Sequence, residues 1–387
     1  MQTATIMRHL FITGGILLSL LASSCQSNKQ KVEESQSAPT SIQVNYVKDV
    51  LRGSHILKES KAIALSSRND DALIVKINRL LVGENRYFVM DRYGNQLIAF
   101  DGNGEFVATT KRLEGQGPDN YVRIIDAAID NKAQKVYVHC DAPYCIMVFD
   151  MNLQLLEKIS LDYYMQEIAD DDKYIYGIQI KPVPDLGYQL LALDKTDLTA
   201  SPVTIIDSSK NLNGVGFSGK SLTSSCRGVN VCLPFDNVIY QLSNKEIIAS
   251  YPMDFGTNGV DYDDIKDMNT NQFFNSPFRQ KVWSLVNVYE TDSTLFFGCN
   301  DLYSFVLDKS SKECTGFSSS RNDLMPYSDT QTIPVDGLEH TYAYSCPSKY
   351  VKGIKGRLEE KMGVGMKTIL DKYDEEDNPV IILCELK

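Results

Sequence analysis

Residues 86–107 read RYFVMDRYGNQLIAFDGNGEFV. Two apolar-rich runs, Arg86 to Asp91 and Gln96 to Asp101, flank the turn Arg92-Tyr93-Gly94-Asn95. Asp101-Gly102-Asn103-Gly104 then turns the chain into Glu105-Phe106-Val107. Gly-Asn and Asp-Gly between runs of aromatic and β-branched residues are strong short-range hairpin signals, because those residues tolerate the backbone that tight turns require. The segment therefore predicts consecutive antiparallel strands, the second ending in Asp.

The same order recurs along the chain. Lys135 to Asp141 precedes Tyr144 to Asp150 and then Met151-Asn152-Leu153; Tyr174 to Gly177 is matched with Tyr188 to Asp194. Val229 to Cys232 goes with Val238 to Leu242, and Thr294 to Gly298 with Leu302 to Asp308. The last unit, Thr341 to Ser345, is interrupted before Pro379 to Cys384. Six units at a spacing of roughly 40–50 residues match the four-stranded blades of a propeller. The fold expected is all-β, a six-bladed β-propeller over residues 42–387. A blade hides both faces only between neighbours, so the ring should close. The final unit is one strand short, and the early strand Ile42 to Val47 belongs to no unit. It is expected to lie beside residues 380–384 as the closing strand. Two stretches depart from strand patterning and predict small helical or loop insertions. One spans about 261–284; the other, about 348–373, places Leu358, Met362, Met366, Ile369 and Leu370 at helical spacing around a centre weakened by Gly363 and Gly365.

Composition bounds the function. Lys and Arg total 39 against 50 Asp and Glu, a formal net charge of −11. Phosphate backbones need a positive surface, so no nucleic-acid partner is expected. Arg8 precedes an apolar run from Leu10 to Ser24, which ends in Leu21-Ala22-Ser23-Ser24-Cys25; Met7 offers a second start. Fifteen residues are too few to span ~30 Å of hydrocarbon as a helix. Basic start, apolar centre and small residues describe an export signal over residues 1–24. Residues 25–41, nearly devoid of large apolar side chains, predict a flexible tether.

The Leu-Ala-Ser-Ser-Cys ending resembles the lipobox of bacterial lipoproteins, although Ala22 stands where that family most often has Leu. The resemblance implies a lipid on Cys25 and a membrane partner reached through that lipid, with an ordinary secretory signal as the alternative. Gly115-Gln116-Gly117-Pro118-Asp119-Asn120-Tyr121 is similar to the G-x-G-P-x-E-Y loop joining the first two blades in six-bladed, NHL-like propeller lipoproteins of gut-type bacteria. Asn120 replaces the family's Glu, and Asp377 to Leu383 resembles its closing strand. The resemblance implies an exported, envelope-located propeller, with the outer membrane as its place and periplasmic versus surface face left open. The loop glycines also have a structural explanation, since glycine permits φ > 0 between blades.

Several motifs suggest chemistry that their context does not support. Gly214 to Ser221 satisfies the phosphate-loop pattern, but neither a strand directly before it nor a helix directly after it is expected. Cys140 and Cys145 flank one hairpin, Cys226 and Cys232 another, and each pair suits either a disulfide or buried thiols. His139 alternates with Tyr137 and reads as packed. Asp267 to Asn271 opens like a calcium loop, with Gln272 where Gly is needed. Trp283, the one tryptophan, offers little as a sugar platform. These readings assign no catalytic, cofactor or metal residues. They favour a monomeric, non-catalytic ligand- or protein-binding module. The alternative is a metal-dependent hydrolase or lyase built from inner strands such as Arg123 to Asp126 and Tyr164 to Glu167.

Overall fold

The computed structural model describes residues 41–387, apart from 182–186, 213, 214, 216–218, 226, 301, 330 and 372. Cys25, the leader and nearly all of the tether thus lie outside the described residues. Two strands come first, β1 (Ile42–Arg52) and β2 (Leu57–Ile63). Antiparallel four-stranded meanders follow: β3–β6 (Arg79–Gly83, Arg86–Asp91, Gln96–Asp101, Phe106–Thr109) and β7–β10 (Arg123–Asp130, Lys135–Asp141, Cys145–Asp150, Leu155–Ser160). Next are β11–β14 (Glu167–Asp170, Tyr174–Ile180, Tyr188–Asp194, Val203–Ser208) and β15–β18 (Leu222–Ser225, Gly228–Cys232, Val238–Ser243, Glu246–Asp254). The fifth is β19–β22 (Leu285–Glu290, Thr294–Cys299, Ser304–Asp308, Cys314–Arg321). The short β23 (Val335–Asp336) pairs in parallel with β3, and β24 (Thr341–Cys346) with β25 (Val380–Leu386) forms the last hairpin.

Alternation of side chains explains why these sheets stack. Successive strand residues point to opposite faces, and in the first meander both faces are covered. Leu81, Phe88, Met90 and Leu97 pack with Ile124, Val136, Val138 and Met147 of the second meander. Leu80, Val89, Ile98 and Phe100 pack instead with Ala343, Ile382 and Ile63. Further apolar layers join the second to the third meander, the third to the fourth and the fourth to the fifth.

One expectation fails. Ile42 to Val47 does not lie in the sheet of residues 380–384. That place is taken by β2, antiparallel to β25 with Ala62 opposite Ile382. β1 is instead a parallel strap: Ile42-Gln43 pairs with Met253-Asp254 of β18, and Val44 to Arg52 pairs with Cys314 to Arg321 of β22. Polar Gln43 and Asn45 leave β1 a single apolar face, which suits a strand covering otherwise unpaired outer edges. Lys58, Glu59 and Lys61 disguise β2 as a loop, yet Leu57, Ser60, Ala62 and Ile63 are buried, and Lys58 pairs with Glu385 at 2.5 Å.

Both insertions are helical or looped, as expected. In the first, Asn269 caps the helix Thr270–Phe274. Its side chain accepts from the Gln272 amide (2.9 Å) while Gln272 Oε1 accepts from its own (2.8 Å). This capping box accounts for the polar run that mimics a calcium loop. Phe273 and Trp283 close over Phe235, the Phe235 and Trp283 rings stacked at 5.7 Å. In the second, Ser348–Glu359 and Val364–Leu370 are separate helices broken at Gly363, and Leu358, Met366, Ile369 and Leu370 are buried.

Candidate functional site

The first strands of the meanders converge: β3 lies against β7, β7 against β11, β11 against β15, β15 against β19 and β23. Arg79, the first residue of β3, is fully buried among them. Its Nη1 donates to the carbonyls of Ala127 and Ile168, both at 2.6 Å, and its Nη2 to that of Leu222 at 3.3 Å. It also pairs with Asp126 (3.1 Å) and, through Nε, with Asp336 (2.9 Å). One guanidinium therefore holds strands β7, β11, β15 and β23 to β3. This is a task for Arg, whose planar fork presents five donors.

Neighbouring groups extend the cluster. Lys220 Nζ lies 2.9 Å from Asp126 Oδ2, which also accepts from the Ile168 amide at 2.9 Å. Glu167 accepts from the amides of Ser221 (2.8 Å) and Leu222 (3.1 Å). Burial drives the Asp126 carboxyl upward, but Arg79 and Lys220 outweigh it and hold the carboxyl below its ordinary value. Burial wins at Glu167 and Asp336, whose carboxyls are raised. The convergence point is thus filled by side chains in mutual contact rather than left as a reaction chamber.

The two ends of this axis differ. At the carboxyl ends of β7 and β11, Lys195 Nζ bridges Asp130 (2.7 Å) and Asp170 (2.6 Å) and donates to the Asp171 carbonyl (2.5 Å). A depression of about 410 Å³ opens there, lined by these acids with Ser224, Arg227 and Glu339. Burial pushes the Asp170 carboxyl up to about 7 against the pull of Lys195. At the amino ends, Arg123 pairs with Asp141, and the Tyr144 and Tyr164 rings lie 5.7 Å apart over His139.

The structure sorts the residues singled out in the sequence. Asp126 and Glu167 of the two candidate inner strands do come together, but they meet Arg79, Lys220 and backbone amides. Among the described residues no group of three or more His, Cys, Asp and Glu side chains is placed to hold a metal ion, so this donor set does not fit one. Lys220-Ser221 leads into strand β15 rather than a helix; the Ser221 amide donates to the Glu167 carboxylate and the Lys220 amide to Asn287 Oδ1, while Gly214 and Gly216 to Ser218 fall outside the described residues. His139 is buried, its Nε2 accepting from the Met165 amide (3.2 Å) and its Nδ1 3.1 Å from the Cys145 carbonyl; burial lowers its pKa, so it is held neutral. Cys140 and Cys145 are cross-strand neighbours present as buried thiols, and Cys226 is not among the described residues.

The glycine loop is structural. Tyr121 is buried with its hydroxyl on the Asn95 carbonyl (2.9 Å), and Lys158 donates to the Asn120 carbonyl (2.6 Å). A Cβ on Gly117 would stand 2.5 Å from Asn120 Oδ1, so glycine is what lets that side chain turn inward. Arg79 and Asp336 escaped the sequence reading because a charge inside a strand ordinarily signals solvent, and Lys195 because it sits in a polar turn after a strand.

Small antiparallel sheets packed face to face around converging first strands define a propeller-like protein. The chain belongs to the family described as Domain of unknown function (DUF4934), whose model matches residues 41–385. Its fold is similar to that of a candidate exported protein of Bacteroides fragilis, with 17% identity, 90% of this chain and 100% of that chain covered, and a TM-score of 0.65. BamB from Moraxella catarrhalis shows 11% identity, 65% and 66% coverage and a TM-score of 0.40. The Pan2 WD40 domain of Neurospora crassa shows 8% identity, 80% and 75% coverage and a TM-score of 0.44. No curated protein matches the chain.

Proposed function

We propose that this chain is a closed six-bladed propeller, held in the cell envelope by a lipid on Cys25, that binds a ligand or protein partner without catalysing a reaction. The observation that carries the reading is the filled axis: Arg79 and its carboxylates occupy the place where a propeller enzyme would gather its reacting groups. What remains for recognition is the loop-built surface at the two ends of the axis, rigidly positioned by the sheets.

Closure is supported by the parallel pairing of β23 with β3 and by Tyr289 of β19 stacking with Tyr342 of β24 at 5.2 Å. In this reading β23, β24, β25 and β2 form the sixth, NHL-like blade. The leader (1–24) directs export, in keeping with the exported relative from Bacteroides fragilis, and residues 25–41 tether the monomer to an outer-membrane leaflet. Among the described residues no helix is long and apolar enough to cross a membrane. In this reading the attachment rests on acyl chains, at ~0.8 kcal/mol per buried CH₂.

Capture from intact envelopes tests the reading. The full chain should retain a partner that is lost when Arg123→Glu and Tyr144→Ala alter the amino-end surface or when Arg227→Glu alters the opposite one. Retention through all these changes, or turnover of a substrate by the purified protein, would contradict it. Cys25→Ala should move the protein from the membrane to the soluble fraction; firm membrane retention would refute the anchor.

A further inference from the structure

A cleft of about 300 Å³ opens between the fifth meander and the last sheet, roofed where β1 crosses to β2 at Leu51, Gly53 and Ile56. Apolar layers join the other successive meanders, and depressions there lie at outer edges, as between Phe106 to Thr109 and Asn152 with Gln154. Here the outer strand β22 carries Ser318-Ser319-Ser320, side chains too short to fill the gap.

The floor is aromatic. Tyr289, Phe296 and Tyr342 form a mutually packed trio with ring centroids 5.2, 5.6 and 6.2 Å apart. The buried Tyr289 hydroxyl reaches toward Thr332 but closes no hydrogen bond of normal geometry, and a buried polar group left so is costly. One wall is rigid: Asn322 is buried, donating to the Tyr344 hydroxyl (3.2 Å) and Ser60 Oγ (3.1 Å) and accepting from the Leu324 amide (2.9 Å). The charged lining is Arg321 and Asp329, one group of each sign.

We infer that this cleft binds a neutral, hydroxyl-rich ring compound, a mono- or disaccharide. The apolar faces of a sugar ring suit aromatic side chains, while its hydroxyls suit the serines, Gln331, Thr332 and the orphaned Tyr289 hydroxyl. A phosphate or carboxylate would meet a single arginine with an aspartate beside it rather than a cationic cluster, and burying an unpaired charge is unfavourable. The volume stands at the lower end of the ~300–1,000 Å³ typical of small-molecule sites. The inference deepens the binding-module reading and rests on it.

Calorimetric titration of the full chain tests it, with glucose, N-acetylglucosamine and maltose as neutral probes and glucuronate and inorganic phosphate as anionic ones. At least one neutral sugar should bind. Ser319→Trp, which fills the cleft from an exposed position, should weaken that binding by about tenfold or more with an unchanged melting temperature. Leu156→Trp, exposed on the second meander, should leave binding intact. No binding of any neutral sugar up to about 10 mM, a range covering even very weak sites, would overturn the inference, as would preference for the anions or indifference to Ser319→Trp. If no sugar binds yet envelope capture still recovers a partner, the cleft inference alone falls and the binding-module reading stands.

Discussion

The centre of the axis and its acidic end both crowd carboxylates between converging strands, but they answer with different cations. At the centre Arg79 has no exposure and contacts four other strands through a planar fork. At the end Lys195, with 7% of its side chain exposed, bridges Asp130 and Asp170 as a point charge beside an open depression. Water can reach Lys195 and not Arg79 itself, although 13% of the Lys220 side chain beside Asp126 is exposed. The same loss of a cation should therefore cost far more at the centre, where no solvent replaces it. The end arrangement also repeats: the third strand ends in Leu-Asp with Lys directly after it at 193–195 and at 307–309, and Lys309 holds Glu290 at 2.7 Å and the Thr291 carbonyl at 2.5 Å.

The largest effect expected is that of Arg79→Met. Asp336 would keep its burial and lose its cation, and Asp126 would keep only Lys220, a change of about 3–5 kcal/mol for a broken buried pair. Urea unfolding checks it; a loss below about 1 kcal/mol would put the cluster in the range of surface ion pairs and break the contrast. Lys195→Met should cost about 1–3 kcal/mol, the penalty for leaving buried groups unsatisfied, and should push the Asp170 carboxyl further up. Equal losses from the two substitutions would also defeat the comparison.

The smallest effect lies in pH dependence. With the Asp170 carboxyl at about 7 when folded against an ordinary 3.8, the unfolded chain releases its proton first. Between about pH 4 and 7 the folded state binds more protons, so this group's contribution to stability falls as pH rises through that window. Asp170→Asn removes that contribution. The decline in urea midpoint from pH 5 to pH 8 should become shallower than in the unaltered protein. An unchanged slope would show that Lys195 keeps Asp170 ionised throughout.

Much of the fold was legible because the second and third strands of each unit carry apolar runs bounded by Gly, Asn and Asp. Both faces of those strands are buried, and the turns are local. The first strands were harder to read. Arg79, Asp126 and Glu167 place charges where a strand pattern predicts apolar residues, and the partners that make those charges tolerable lie 42 or more positions away, as Asp126 and Ile168 do. That Leu57–Ile63, rather than Ile42 to Val47, lies beside β25 has the same origin. A strand at a sheet edge needs only one apolar face, so alternation in Gln43 and Asn45 and a charged run at Lys58 to Lys61 are equally compatible with several edges. The cleft was invisible for a related reason: Ser318 to Ser320 signals only a polar strand until Tyr289 and Tyr342 are seen beneath it.

β2 pairs with β25, the contact proposed to fasten the ring, and hydrogen exchange read by mass spectrometry addresses that pairing directly. Peptides covering Leu57–Ile63 and Val380–Leu386 should be protected to the same degree as the central strand Lys135–Asp141, and all three should lose protection together as denaturant is added. Exchange of the two terminal strands at loop rates while Lys135–Asp141 stays protected would mean that the fan of sheets is open where the chain ends should meet.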